Sequence, residues 1–104
     1  MVKRNKLKIT VLKRTDPKEF FKILPVTVQD WFVPCDTYKD GEVFMVKENL
    51  QMPKGFCESA WHAIYPTIRT IGFGGNLPYF KEEGTAISCC TDRMRPVVFQ
   101  IERI

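Results

Sequence analysis

Six residues between positions 57 and 71 (Cys57, Ala60, Trp61, Ile64, Ile68 and Ile71) recur at spacings of three and four. That period gathers them on one face of an α-helix. A chain with one such helix must find another apolar surface to cover that face. Glu58, His62, Tyr65 and Arg69 form a neighbouring polar stripe. Pro66 falls inside the pattern, removes a backbone donor, and is expected to kink or split the helix. Met52-Pro53-Lys54-Gly55 is a turn ahead of the helix, and Gly72, Gly74, Gly75 and Asn76 end it.

The covering surface is read from a different period. Leu7, Ile9 and Val11 alternate with Lys6, Lys8 and Thr10, the mark of a half-buried strand over 6–14. Further strands are expected at Glu42–Val46, Thr85–Thr91 and Val97–Arg103, the last two joined by a hairpin loop through Thr91-Asp92-Arg93-Met94-Arg95-Pro96. Thr15-Asp16-Pro17 looks like the start of a second, short helix carrying Phe20, Phe21 and Leu24 and ended by Pro25. Residues 25–41 are irregular, broken by Pro25, Pro34 and Lys39-Asp40-Gly41. Val26, Val28, Trp31, Phe32 and Val33 make that stretch too apolar for a free linker, so it is expected to fold over the core. The fold class is α+β: a small, mainly antiparallel four-stranded sheet with one main helix packed on it. At 104 residues this is a single domain, 1–104, with room for one modest core.

Charge narrows the partners. Lys3, Arg4, Lys6, Lys8, Lys13 and Arg14 precede the first acid, Asp16, while the rest of the chain is slightly acidic. One basic edge on an acidic body argues against a nucleic-acid partner, which would call for a broad basic face. The lysines are more simply read as a solvated strand edge that discourages edge-to-edge pairing. No apolar run reaches the length of a membrane helix or a signal peptide, so the expected setting is the cytoplasm, without a membrane partner. Thiols stay reduced there, and four cysteines then point to metal, redox chemistry or burial before disulfides.

Those cysteines are Cys35, Cys57, Cys89 and Cys90, and none forms Cys-x-x-Cys. Cys89 and Cys90 are adjacent, so a regular strand points them to opposite faces. Cys57 begins the main helix, where unpaired amides favour a thiolate, which makes it the leading reactive or ligating sulfur. Packing as small hydrophobes is the plainer reading of the set. His62, the one histidine, is a weak catalytic candidate beside Cys57, although five residues of helix separate the two. Arg93 and Arg95 are weak anion-binding candidates, equally readable as solvated loop residues. Phe73-Gly74-Gly75-Asn76 lacks the phosphate-loop lysine and reads as a helix stop, with a small anion nest as the alternative. Trp31 and Trp61 read as core or interface anchors.

The run from Cys89 through Cys90-Thr91-Asp92-Arg93-Met94-Arg95-Pro96-Val97-Val98-Phe99 to Ile104 resembles the ending of a family of short conserved hypothetical proteins of bacteria and archaea, many of them anaerobes. Met52-Pro53-Lys54-Gly55-Phe56-Cys57, Phe73-Gly74-Gly75-Asn76 and Pro34-Cys35 ahead of Lys39-Asp40-Gly41 resemble its other motifs. The chain departs from that pattern at Arg93, where glycine is usual. The family has no established activity; the resemblance implies that Cys35, Cys57, Cys89 and Cys90 belong to its pattern.

Three functions follow as expectations. The first is a binding or redox module in which Cys35, Cys57, Cys89 and Cys90 hold zinc or an iron–sulfur cluster and serve a protein redox partner. The second is a non-catalytic interaction protein, with its aromatic loop at 26–33 serving a homo-oligomer. The third is a small thiolate enzyme with Cys57 as nucleophile, His62 or Glu58 assisting, and Arg95 orienting an anionic substrate.

Overall fold

The structure, a computed structural model, describes residues 3–104. Its elements run β1 (Leu7–Arg14), a single 3₁₀ turn (Pro17–Glu19), β2 (Val43–Val46), α1 (Glu58–Gly72), β3 (Thr85–Cys89) and β4 (Val97–Arg103). The four strands form one antiparallel sheet in the order β2-β1-β4-β3. This is the expected α+β arrangement of one helix on a four-stranded sheet.

Both periodicities meet in the core. Leu7, Ile9 and Val11 from β1 and Val97, Phe99 and Ile101 from β4 are fully buried on one sheet face. Against them α1 sets Ala60, Trp61, Ile64, Ile68 and Ile71, the face its spacing predicted. No helix among the described residues is long and apolar enough to cross a membrane.

Leu50 joins this core from the β2–α1 connection with φ of 55°, a left-handed conformation that is uncommon for leucine. Its side chain is completely buried in the hollow left by Gly72, where an added Cβ would stand 2.7 Å from Leu50 Cδ1. The burial of a whole leucine side chain, about 2 kcal/mol, outweighs the backbone cost of about 1 kcal/mol.

Four expectations are corrected. β1 is not an edge strand; it lies between β2 and β4, and its lysines belong to the face away from α1 or to its ends. The run after Asp16 forms only one 3₁₀ turn, capped by Asp16 Oδ1 on the Lys18 amide at 2.9 Å. Phe20 and Phe21 stay exposed, so a longer helix would have had no core to pack on. Residues 25–34 do not cover the core either: Val26, Trp31 and Val33 are exposed, and within 25–41 only Tyr38 is buried. Finally, α1 is not split at Pro66 but runs as one helix from Glu58 to Gly72. Pro66 sits on the exposed side, where water can satisfy the carbonyl it leaves free, and its own carbonyl accepts the Thr70 hydroxyl at 3.1 Å.

Phe73-Gly74-Gly75-Asn76 stops the helix, but it presents carbonyls rather than amides to its neighbour. Arg103 from β4 donates to Ile71 O at 3.1 Å, Gly75 O at 2.6 Å and Asn76 Oδ1 at 2.9 Å. The guanidinium thus satisfies helix-end acceptors and sits at the negative end of the helix dipole. That replaces the anion-nest alternative, because a cation already occupies the place. Asn76 Oδ1 also accepts the Gly84 amide, so the same group holds the start of β3. Arg103→Met, which keeps the aliphatic stem, is expected to lower unfolding free energy by about 2–3 kcal/mol in urea titration. Arg103→Lys should recover only part of that, since an ammonium lacks the planar fork.

Candidate functional site: a cavity lined by three cysteines

Three segments far apart in the chain bring a thiol each to one cavity of about 640 Å³: Cys35 from the loop before β2, Cys57 at the start of α1, and Cys90 just after β3. All are free thiols. Each is placed by a backbone contact that can be traced. Arg14 at the end of β1 donates from Nη1 to Cys35 O at 3.2 Å and from Nε to Asp40 Oδ1 at 3.2 Å, pinning that loop to the sheet. Cys57 is the N-cap residue of α1, and its side chain makes no capping hydrogen bond, which leaves the thiol to the cavity. Cys90 is buried, and its sulfur accepts the Val97 amide at 3.2 Å.

The fourth cysteine is not with them. Cys89 is exposed at the end of β3 and does not line the cavity, because successive strand residues alternate between faces. Its place in an expected four-cysteine ligand set is therefore corrected to three cysteines on one cavity. Among the described residues, no group of three or more His, Cys, Asp or Glu side chains is gathered so that it could hold a metal ion. His62 is also elsewhere. Its side chain is exposed and reaches Glu58 at 3.6 Å, one turn back on the helix, so neither is positioned to assist Cys57 within the cavity.

Sequence reasoning missed Tyr38. It is a buried member of an aromatic cluster, with its ring 5.7 Å from Phe44 and 5.4 Å from both Phe56 and Phe99. Its hydroxyl oxygen accepts the Cys57 amide at 2.9 Å at the cavity wall. That leaves the phenolic proton to donate to whatever shares the cavity. Burial pushes the phenol's ionisation far above its ordinary value of 10.0. The Cys57 amide opposes the rise, and negative charge on Cys57, Cys35 and Cys90 adds to it.

The sign of the resulting pH effect is clear. Above about pH 10 the unfolded chain releases this proton while the folded chain holds it, so folding stability falls as pH rises. Tyr38→Phe should lack that alkaline loss. At neutral pH it should be less stable by about 1–2 kcal/mol, because the Cys57 amide loses its acceptor. Denaturant titrations at neutral pH and above pH 10 measure both.

The hairpin loop between β3 and β4 supplies the charge. Arg95 is held on several sides: Nε meets Asp92 Oδ2 at 2.9 Å, Nη1 donates to Val33 O at 2.9 Å, and the guanidinium lies 4.9 Å from the Phe32 ring centroid and 5.8 Å from that of Trp31. Its work is to hold the 26–33 loop against the hairpin, which corrects its reading as a free anion binder. Arg93 is different. Its side chain is 82% exposed, with Asp92 at a long 3.8 Å. Its φ of 39° is a left-handed value that glycine would adopt at less cost.

No family model, no curated protein and no solved structure matches this chain. The cavity is therefore interpreted from its own chemistry: three thiols, one protonated phenol and one weakly engaged guanidinium.

Proposed function

We propose that this protein is a cysteine-based redox module that works by thiol chemistry inside the Cys35–Cys57–Cys90 cavity. The observation that carries this reading is that three thiols from three separate segments line one cavity, beside a phenol that stays protonated. Cys57 is the attacking residue, being partly exposed and free of a capping bond. Its thiolate attacks one sulfur of a small disulfide, giving a mixed disulfide and one released thiolate, which takes up a proton. Cys35 or Cys90 then attacks the Cys57 sulfur, closing a protein disulfide and releasing the second thiol. Two protein thiols become one disulfide as the substrate disulfide becomes two thiols; two partner thiols, leaving as their own disulfide, reverse the change.

The test is oxidation of the native protein with diamide, a neutral oxidant, followed by peptide mapping. A disulfide between two of Cys35, Cys57 and Cys90 is expected, and it should persist in Cys89→Ser. Its absence, or a link only through Cys89 between two chains, would sink the reading.

A metal or iron–sulfur centre is the second reading, favoured by the Val97 amide on the Cys90 sulfur, since such hydrogen bonds support cluster-bound thiolates. Cys35, Cys57 and Cys90 would be its ligands, after the side chains lining the cavity draw together, since they are not gathered as a ligand group in this structure; Cys89 would not. Stoichiometric iron with sulfide, or zinc, in protein purified without oxygen, lost in Cys57→Ser and kept in Cys89→Ser, would put this reading in place of the first.

A further inference from the structure

We infer that Arg93 is the recognition group for the carboxylate of a small, thiol-reactive acid taken up by the cysteine cavity. This rests on the redox reading only for the thiols being the groups that react. Among the described residues, the charged side chains lining the cavity are Asp92, Arg93 and Arg95. Arg95 neutralises Asp92 at 2.9 Å and spends its remaining contacts on Val33 O and the Phe32 ring. The lining therefore carries one net positive charge, and that charge is the Arg93 guanidinium. Asp36 and Glu58, the acids next to Cys35 and Cys57 in sequence, do not line the cavity.

The turn fixes where this guanidinium starts. Arg93 N donates to Thr91 O at 2.7 Å and Arg95 N to Asp92 O at 2.8 Å, which closes the hairpin around residue 93. An arginine stands in a left-handed position that glycine would take at less cost, and an uncommon backbone conformation at a cavity rim is a physical mark of a functional residue. Arg93 also borders a second, more apolar hollow of about 230 Å³ formed with Val26, Trp31, Phe32 and Met94. A ligand carboxylate paired with Arg93 sits between the two, with its reactive end on the thiols and any apolar substituent on Trp31. Lysine would supply the charge without the two-pronged fit of guanidinium to carboxylate.

Paired alkylation rates test the assignment. Iodoacetate and iodoacetamide react alike: a sulfur–carbon bond forms, iodide leaves and the thiol proton passes to solvent. They differ in that only iodoacetate carries a carboxylate. Rates are read cysteine by cysteine by mass spectrometry, with Cys89, outside the cavity, as the internal reference. In the wild type the iodoacetate-to-iodoacetamide ratio at Cys57 or Cys35 should exceed that at Cys89 by about threefold or more at low salt, and shrink at high salt. Arg93→Gly should bring the ratio down to that of Cys89 while melting no lower than the wild type, because glycine relieves the left-handed backbone. Arg93→Gln keeps the backbone strain and should lose the preference equally, so a folding defect in either variant leaves the other to decide. An unchanged ratio in a folded variant would overturn the assignment. Diamide oxidation of the same proteins separates the two proposals. A carboxylate preference that Arg93→Gly abolishes, in protein that forms no cavity disulfide, would keep the anion site and sink the redox reading.

Discussion

Truncation of Phe99 to alanine should cost about 4 kcal/mol of unfolding free energy, the largest single effect expected in this protein. Phe99 is completely buried in β4, with ring centroids 5.4 Å from both Tyr38 and Phe56. Phe56 in turn stands 5.0 Å from Phe44 and 5.9 Å from Trp61, so one side chain supports the junction between sheet, loop and helix. Domains of this size have about 5–15 kcal/mol to lose in total. The same truncation removes the ring against which Tyr38 packs. Cys57 alkylation should therefore quicken in Phe99→Ala even where the protein remains folded. Urea titration and a labelling time course measure the two effects; a loss below about 1 kcal/mol would mean that this ring is not the keystone of the core.

The second large effect concerns Leu50 and Gly72 together. Leu50→Ala empties the hollow over Gly72 and should cost about 3 kcal/mol, within the range for buried leucines. Gly72→Ala drives a methyl to within 2.7 Å of Leu50 Cδ1 and should cost about 1–3 kcal/mol by overpacking. The double variant puts a methyl back where the leucine was, so it should be more stable than the two losses added together. A coupling of about 1 kcal/mol or more in the double-mutant cycle is expected, and strict additivity would show that the two residues do not touch.

The features legible in the sequence were those set by local periodicity. The helix face from Ala60 to Ile71 and the alternation of Leu7, Ile9 and Val11 each report burial through spacing alone, and both emerged on the core side. Strand order was not legible. The lysines of β1 suggested an edge, whereas the neighbours of a strand are decided by segments that leave no mark on its own pattern. Strand geometry alone sets Cys89 and Cys90 on opposed faces, and the expected four-cysteine set ran against it; that Cys35, Cys57 and Cys90 line one cavity is tertiary. Arg95 looked free because its acceptor, the Val33 carbonyl, lies 62 residues away. Tyr38 did leave a signal: an aromatic residue with a polar tip, in an irregular loop three positions after Cys35. An aromatic with one polar atom lines an apolar wall and still offers a hydrogen bond to what the wall encloses.

The pairing of β1 with β4 also has a bearing on how the protein is made. Its register runs from Leu7 opposite Arg103 to Arg14 opposite Val97, so the middle of the sheet joins the two stretches of strand most distant in sequence. During synthesis, α1 emerges with its apolar face exposed, and β3 and β4, the strands it packs on most, are still untranslated. β2 can already pair with β1, but β3 has no strand partner and the centre of the sheet stays open until residues 97–103 leave the ribosome. Topologies dominated by such distant pairings fold in milliseconds to seconds rather than microseconds, and exposed apolar faces are open to aggregation or chaperone capture in that interval. This domain is thus at its most vulnerable just before β4 arrives.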